Sequence, residues 1–161
     1  TPPVLAKMKK KGVWYVPTIV VSQSGAKAFY KKIGSPDWYL DRVDSVGKAH
    51  IQSLRDAISA GVNIALGTDQ YPWEPNEGTT ATVREAEIYV DAGMTHAQAL
   101  RAATIEPARM LGVDSEVGVL KAGYYADIVA VDADPTQDIR ALRTIGFVMK
   151  GGKLIRNDAA R

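Results

Sequence analysis

The stretch Gly61-Val62-Asn63-Ile64-Ala65-Leu66-Gly67-Thr68-Asp69 constrains this chain most, because it joins a buried-strand pattern to an ionisable side chain at the strand's end. Val62, Ile64 and Leu66 alternate with Asn63 and Ala65 between bounding glycines, which predicts a short strand buried on at least one face. Gly61 occupies the place of a helix-stopping glycine, so the local unit is helix, tight turn, strand. In folds built on parallel strands, ligands and chemistry collect beyond the carboxyl ends of the strands, where Asp69 would emerge. An aspartate after a strand also commonly caps the next helix or opens an Asx-turn, and the stretch by itself supports both readings.

The flanking segments extend this grammar. Pro2 and Pro3 lie in the first turn of a helix that Gly12 stops, and Val13 to Thr18 reads as a strand that must end near Pro17. A short helix over Ala26 to Lys32 comes next. A long helix then opens with Ser35 as N-cap and Pro36 at its first position, carries Leu40, Val43, Leu54 and Ala57 on one stripe, and stops at Gly61. Residues 70–79 contain Pro72, Trp73, Pro75, Asn76 and Gly78, a loop placed to rim whatever Asp69 serves. Tyr71 and Trp73 are its candidate substrate-binding residues. Helices follow over Thr80 to Ala92, over Ala97 to Ala103 behind a Thr95 to Gln98 capping box, and over Glu106 to Leu111. After Gly112 the pattern turns to strands, with Ala126 to Val131 and a hairpin from Thr144 to Ile155 across Gly151-Gly152. The natural division is therefore 1–112, alternating helix and strand, and 113–161, mostly β.

Twenty basic and 18 acidic residues give a net charge of +2 without long blocks of one sign, so composition offers no case for nucleic acid or a membrane surface as partner. No apolar run is long enough to cross a bilayer as a helix. The chain has no cysteine, which excludes disulfides, thiolate metal sites and a cysteine nucleophile. Thr1 rather than methionine opens it, which fits either processing or a missing upstream part.

Two strand-helix units are too few for a closed eight-stranded barrel, which needs roughly 250 residues. The order and spacing of several segments nevertheless resemble one family. These are Val13 to Thr18, Gly61 to Asp69, Glu85 with Ala92-Gly93-Met94-Thr95, Ala99 to Thr104, Gly118 to Gly123, Ala126-Asp127-Ile128-Val129 and Lys150-Gly151-Gly152-Lys153. Together they resemble the C-terminal part of a metal-dependent amidohydrolase, nearest to its imidazolonepropionase-like and Xaa-Pro dipeptidase-like branch. The resemblance covers nearly the whole chain.

That resemblance implies an α/β fold: the last two strand-helix units of a (β/α)8 barrel plus part of a small β-sandwich. It implies that Asp69 is a metal ligand and proton shuttle for the hydrolytic water. The complete enzyme would use a divalent metal, zinc by family habit, to hydrolyse a non-aromatic or cyclic C–N bond in a small amide or dipeptide. The family's other metal ligands align upstream of Thr1. His50 and His96, the two histidines, lie on helices and read as structural. Asp69 alone cannot hold a catalytic ion tightly, since such sites take about three protein ligands. The expected partners are thus a missing N-terminal barrel segment or another copy of the chain, with no metal on this chain by itself. The alternative is a truncated non-catalytic domain acting through self-association or binding.

Overall fold

The computed structural model describes residues 1–69 and 81–158. The elements run α1 (Pro2–Lys10), β1 (Trp14–Tyr15), a 3-10 turn (Ile19–Ser22), α2 (Ser24–Lys32), α3 (Asp37–Ala60), β2 (Asn63–Ile64), α4 (Ala81–Asp91), α5 (His96–Ala103) and α6 (Ile105–Leu111). Then come β3 (Ile128–Val131), a second 3-10 turn (Ile139–Arg143), β4 (Ile145–Lys150) and β5 (Lys153–Asn157). The chain is α/β, with β1 and β2 paired in parallel and β3, β4 and β5 forming a separate antiparallel sheet.

The helix stops follow from backbone chemistry. Gly61 takes φ 68°. Its N–H donates to the Ile58 carbonyl at 3.0 Å and the Val62 N–H donates to the Ala57 carbonyl at 3.1 Å. That is the Schellman pattern, which satisfies two carbonyls the helix would otherwise leave unpaired. The next residues enter β2 directly, so the helix end fixes the strand's starting direction.

Several expected boundaries change: α2 begins at Ser24 rather than Ala26 and β3 at Ile128 rather than Ala126, and three further changes have a visible cause. β1 is Trp14–Tyr15 rather than Val13 to Thr18, because Thr18 adopts a left-handed φ of 49° and the chain winds into the 3-10 turn at Ile19. β2 is Asn63–Ile64, because the Leu66 N–H donates to the Ala102 carbonyl of α5 at 2.7 Å instead of to a strand. The long helix begins at Asp37 with Pro36 as N-cap, one residue later than expected, and without a side-chain cap. Both 3-10 turns were outside the sequence reading.

The core packs α3, α4 and α5 around the parallel pair, with Leu54, Val62, Ile64, Ile88, Tyr89 and Ala99 among its buried residues. β3 is less enclosed than a buried strand, since Val129 is 53% exposed. The β4–β5 hairpin turns at Gly151 and Gly152 with φ 55° and 77°, which matches the twist of antiparallel strands. Asp127 secures that turn: its Oδ1 accepts from the Gly151 N–H at 2.7 Å and its Oδ2 pairs with Lys150 Nζ.

Gly47 shows how closely α3 meets the first 3-10 turn. A Cβ at this buried position would overlap the Ser22 carbonyl oxygen. Inside an ordinary exposed helix, Gly to Ala stabilises by about 1 kcal/mol. Here Gly47→Ala is expected to have the opposite sign, destabilising by about 1–3 kcal/mol in urea unfolding.

Candidate functional site

The carboxyl ends of β1 and β2 lie side by side. Trp14 pairs with Asn63 and Tyr15 with Ile64, and the Ala65 N–H donates to the Tyr15 carbonyl at 3.1 Å. Beyond the ladder the two segments stay in contact at Gly67, where a Cβ would stand 2.6 Å from Val16 Cγ1 and 3.6 Å from Thr18 Cγ2. Glycine is required there for the approach. Both segments then turn through left-handed backbone, at Thr18 with φ 49° and at Asp69 with φ 48°. Aspartate tolerates that region, whereas a β-branched threonine adopts it only when its surroundings hold it there.

What holds it is Glu85, which is fully buried. Its two carboxylate oxygens accept from the Ile19 N–H at 2.8 Å and the Val20 N–H at 2.7 Å. Burial pushes its carboxyl above the usual value, outweighing the Ile19 and Val20 N–H donors and the nearby Tyr89 hydroxyl, which favour the charged form. One helical turn on, the Tyr89 hydroxyl donates to the Ala65 carbonyl at 3.2 Å. Burial and the nearby Glu85 charge push the phenols of Tyr89 and Tyr15 upward. α4 therefore touches both strand ends through one pair of side chains at i and i+4. On the sequence alone Glu85 marks only one segment of the family resemblance, with no contact assigned to it. The available signal was its place on the buried stripe that also carries Ala81, Ile88, Tyr89 and Ala92.

Asp69 is exposed at the end of the β2 segment. Tyr71 and Trp73, the candidate substrate-binding residues, lie outside the described residues. Among the described residues no three His, Cys, Asp or Glu side chains gather as a metal site. His50 is half-buried on α3 with Nδ1 3.2 Å from Ser22 Oγ, which itself donates to the Ile19 carbonyl. Burial holds its imidazole below the ordinary value, against a hydrogen bond to Pro17 that raises it. His96 accepts the Ile139 N–H on Nδ1 at 3.1 Å and so caps the second 3-10 turn. Both histidines brace loops.

A second cluster joins α4 to the segment preceding β4. Glu87, nearly buried, accepts from Arg143 Nε at 2.5 Å and Nη2 at 2.9 Å, and from Arg84 Nη1 at 3.0 Å. Arg84 also lies 3.8 Å from Asp91. Beside them is a cleft of about 330 Å³ lined by Arg84, Glu87, Asp91, His96, Asp138 and Arg140 among others. Arg140 makes its own paired contacts with Asp138.

A sequence profile of the amidohydrolase family matches residues 3–155. The ochratoxinase of Aspergillus niger is 32% identical over 154 residues, a match that takes in 92% of this chain and 30% of that protein. The imidazolonepropionase of Shouchella clausii is 34% identical over 107 residues, covering 64% of this chain and 24% of that one. A crystal structure of a Xaa-Pro dipeptidase with methionine bound in its active site superposes with a TM-score of 0.82 at 30% identity, over 96% of this chain and 37% of that chain. The chain thus spans well under half the length of each of these relatives.

Two neighbouring carboxylates give opposite pH dependences. Arg143 and then Arg84 hold Glu87 below the usual value, so its contribution is present above about pH 4.5 and is lost as pH falls through the lowered folded value. Glu85 has a raised folded value, so its contribution is present below the usual value and is lost as pH rises through the raised one. Glu87→Gln is expected to cost about 1–3 kcal/mol at pH 7. The gap to wild type should close in urea titrations at progressively lower pH.

Proposed function

We propose, since this chain belongs to the amidohydrolase family, that it supplies the C-terminal segment of a hydrolase acting on a C–N bond, with Asp69 as the carboxylate that handles the protons of the hydrolytic water. The observation that carries this reading is the placement of Asp69: an exposed carboxylate one residue past the Gly67-Thr68 exit of β2, beside the end of a parallel neighbour. Within it, residues 1–112 are the last two strand-helix units of a (β/α)8 barrel and 113–161 part of a β-sandwich. The parallel pair has no third strand among the described residues, which suits completion by further chain or by a second copy.

A single carboxylate fits one position of a divalent-metal site, and the remaining ligands would come from elsewhere in the assembled enzyme. When bound, a divalent ion such as zinc lowers the pKa of its water towards about 7. Asp69 would accept the proton of the hydrolytic water as its oxygen adds to the carbonyl carbon. It returns the proton to the leaving nitrogen as the C–N bond breaks, so that no free amide anion forms. The substrate class is a small amide, a dipeptide or a cyclic amide. The similar proteins support it, since they include a Xaa-Pro dipeptidase and an imidazolonepropionase.

In the full-length protein, Asp69→Asn is expected to lower kcat/KM about a hundred- to ten-thousandfold on a dipeptide or N-acyl substrate. A fully metallated Asp69→Asn protein with undiminished turnover would refute this role.

A further inference from the structure

We infer that Glu85 and Tyr89 are positioning residues for Asp69: one face of α4 clamps the exits of both parallel strands and thereby sets the backbone from which the Asp69 carboxylate is presented. This rests on the reading of Asp69 as the hydrolytic carboxylate.

Glu85 holds the Ile19 and Val20 amides, at 2.8 and 2.7 Å, immediately after Thr18. Thr18 and Val16 in turn lie against Gly67, two residues before Asp69. Tyr89 holds the Ala65 carbonyl at 3.2 Å, two residues before Gly67. The segment 65–67 is thus held by the β1 ladder, by Tyr89 and by residues 16–18, which Glu85 secures. Asp69 emerges from that segment with φ 48°, a conformation that needs such support.

A carboxylate is a costly choice for a contact whose only purpose is packing. An apolar residue on the same stripe would avoid the desolvation of a fully buried Glu85, and two backbone N–H groups could be met by a neutral acceptor or water. A charged acceptor gives shorter and stronger bonds to both amides at once and fixes their direction. That rigidity is what a group needs when its carboxylate must meet a water and a leaving nitrogen in turn, since misplacement by about 1 Å costs about a hundredfold in rate. No buried side-chain nitrogen or oxygen among the described residues lacks a partner, so the clamp is fully satisfied as it stands.

The test is backbone NMR on the 161-residue chain, comparing wild type with Glu85→Gln and Tyr89→Phe. Gln offers one acceptor oxygen where Glu offers two, and Phe removes the hydroxyl while keeping the ring. Each variant is expected to shift the amide and Cα signals of Thr68 and Asp69 and to change the coupling that reports φ at Asp69, while signals of α6 stay in place. Changes confined to the bonded partners, Ile19 and Val20 for one variant and Ala65 for the other, with Asp69 unmoved, would overturn the inference even if stability fell. If Glu85→Gln does not fold, Tyr89→Phe decides by the same criterion. In the full-length enzyme both variants should lower kcat by up to about a hundredfold with KM little changed. Undiminished turnover by Asp69→Asn would sink the hydrolytic role of Asp69, whereas the response of the Asp69 signals would still decide whether the clamp sets its backbone.

Discussion

A carboxylate with no solvent exposure accepting two consecutive backbone amides is the contact on which the arrangement around the parallel strands depends. Stripping water from Glu85 costs several kcal/mol, and the two bonds from Ile19 and Val20 offset part of that cost only while the Ile19–Val20 turn stays in place. The turn and the helix therefore fix each other. Because Tyr89 stands one turn further along α4 and reaches Ala65, the same helix also governs the second strand. Folding thus produces a rigid floor at the carboxyl ends of β1 and β2, where Asp69 leaves the sheet.

The same helix carries the link to the antiparallel sheet. Glu87 faces away from the strand ends and grips Arg143, whose 3-10 turn leads into β4. His96, at the start of α5, caps that turn from the other side through the Ile139 amide. Asp127 then ties the start of β3 to the Gly151-Gly152 turn. Polar side chains at element ends, each with a named backbone or guanidinium partner, hold the β segment against the helices where little apolar area is available.

Much of this was legible in the residues. The glycine stop at Gly61, the Thr95 and Gln98 capping box and the Gly151-Gly152 hairpin are set by local backbone chemistry and appear as expected. Strand lengths were less legible, because the turn that follows β1 is held by Glu85 and Leu66 after β2 bonds Ala102, and both partners are remote in sequence. Asp69 could be placed at a strand exit because alternation and glycines point there. Glu85 could not, since a lone glutamate on a helix is ordinarily solvated and only its spacing from Tyr89 along an apolar stripe marks it as buried. The second 3-10 turn was less legible for a related reason: Asp138 caps it locally, but its other cap, His96, is remote in sequence.

Amide hydrogen exchange at Ile19 and Val20 in the unaltered chain tests most directly whether the Glu85 carboxylate is the constraint described. If it is, both amides exchange only when the whole domain unfolds, with an opening free energy equal to the global stability measured by urea. Exchange of either amide at the rate of an unprotected peptide would mean that the carboxylate does not hold the turn, and the account of how the strand exits are fixed would fail.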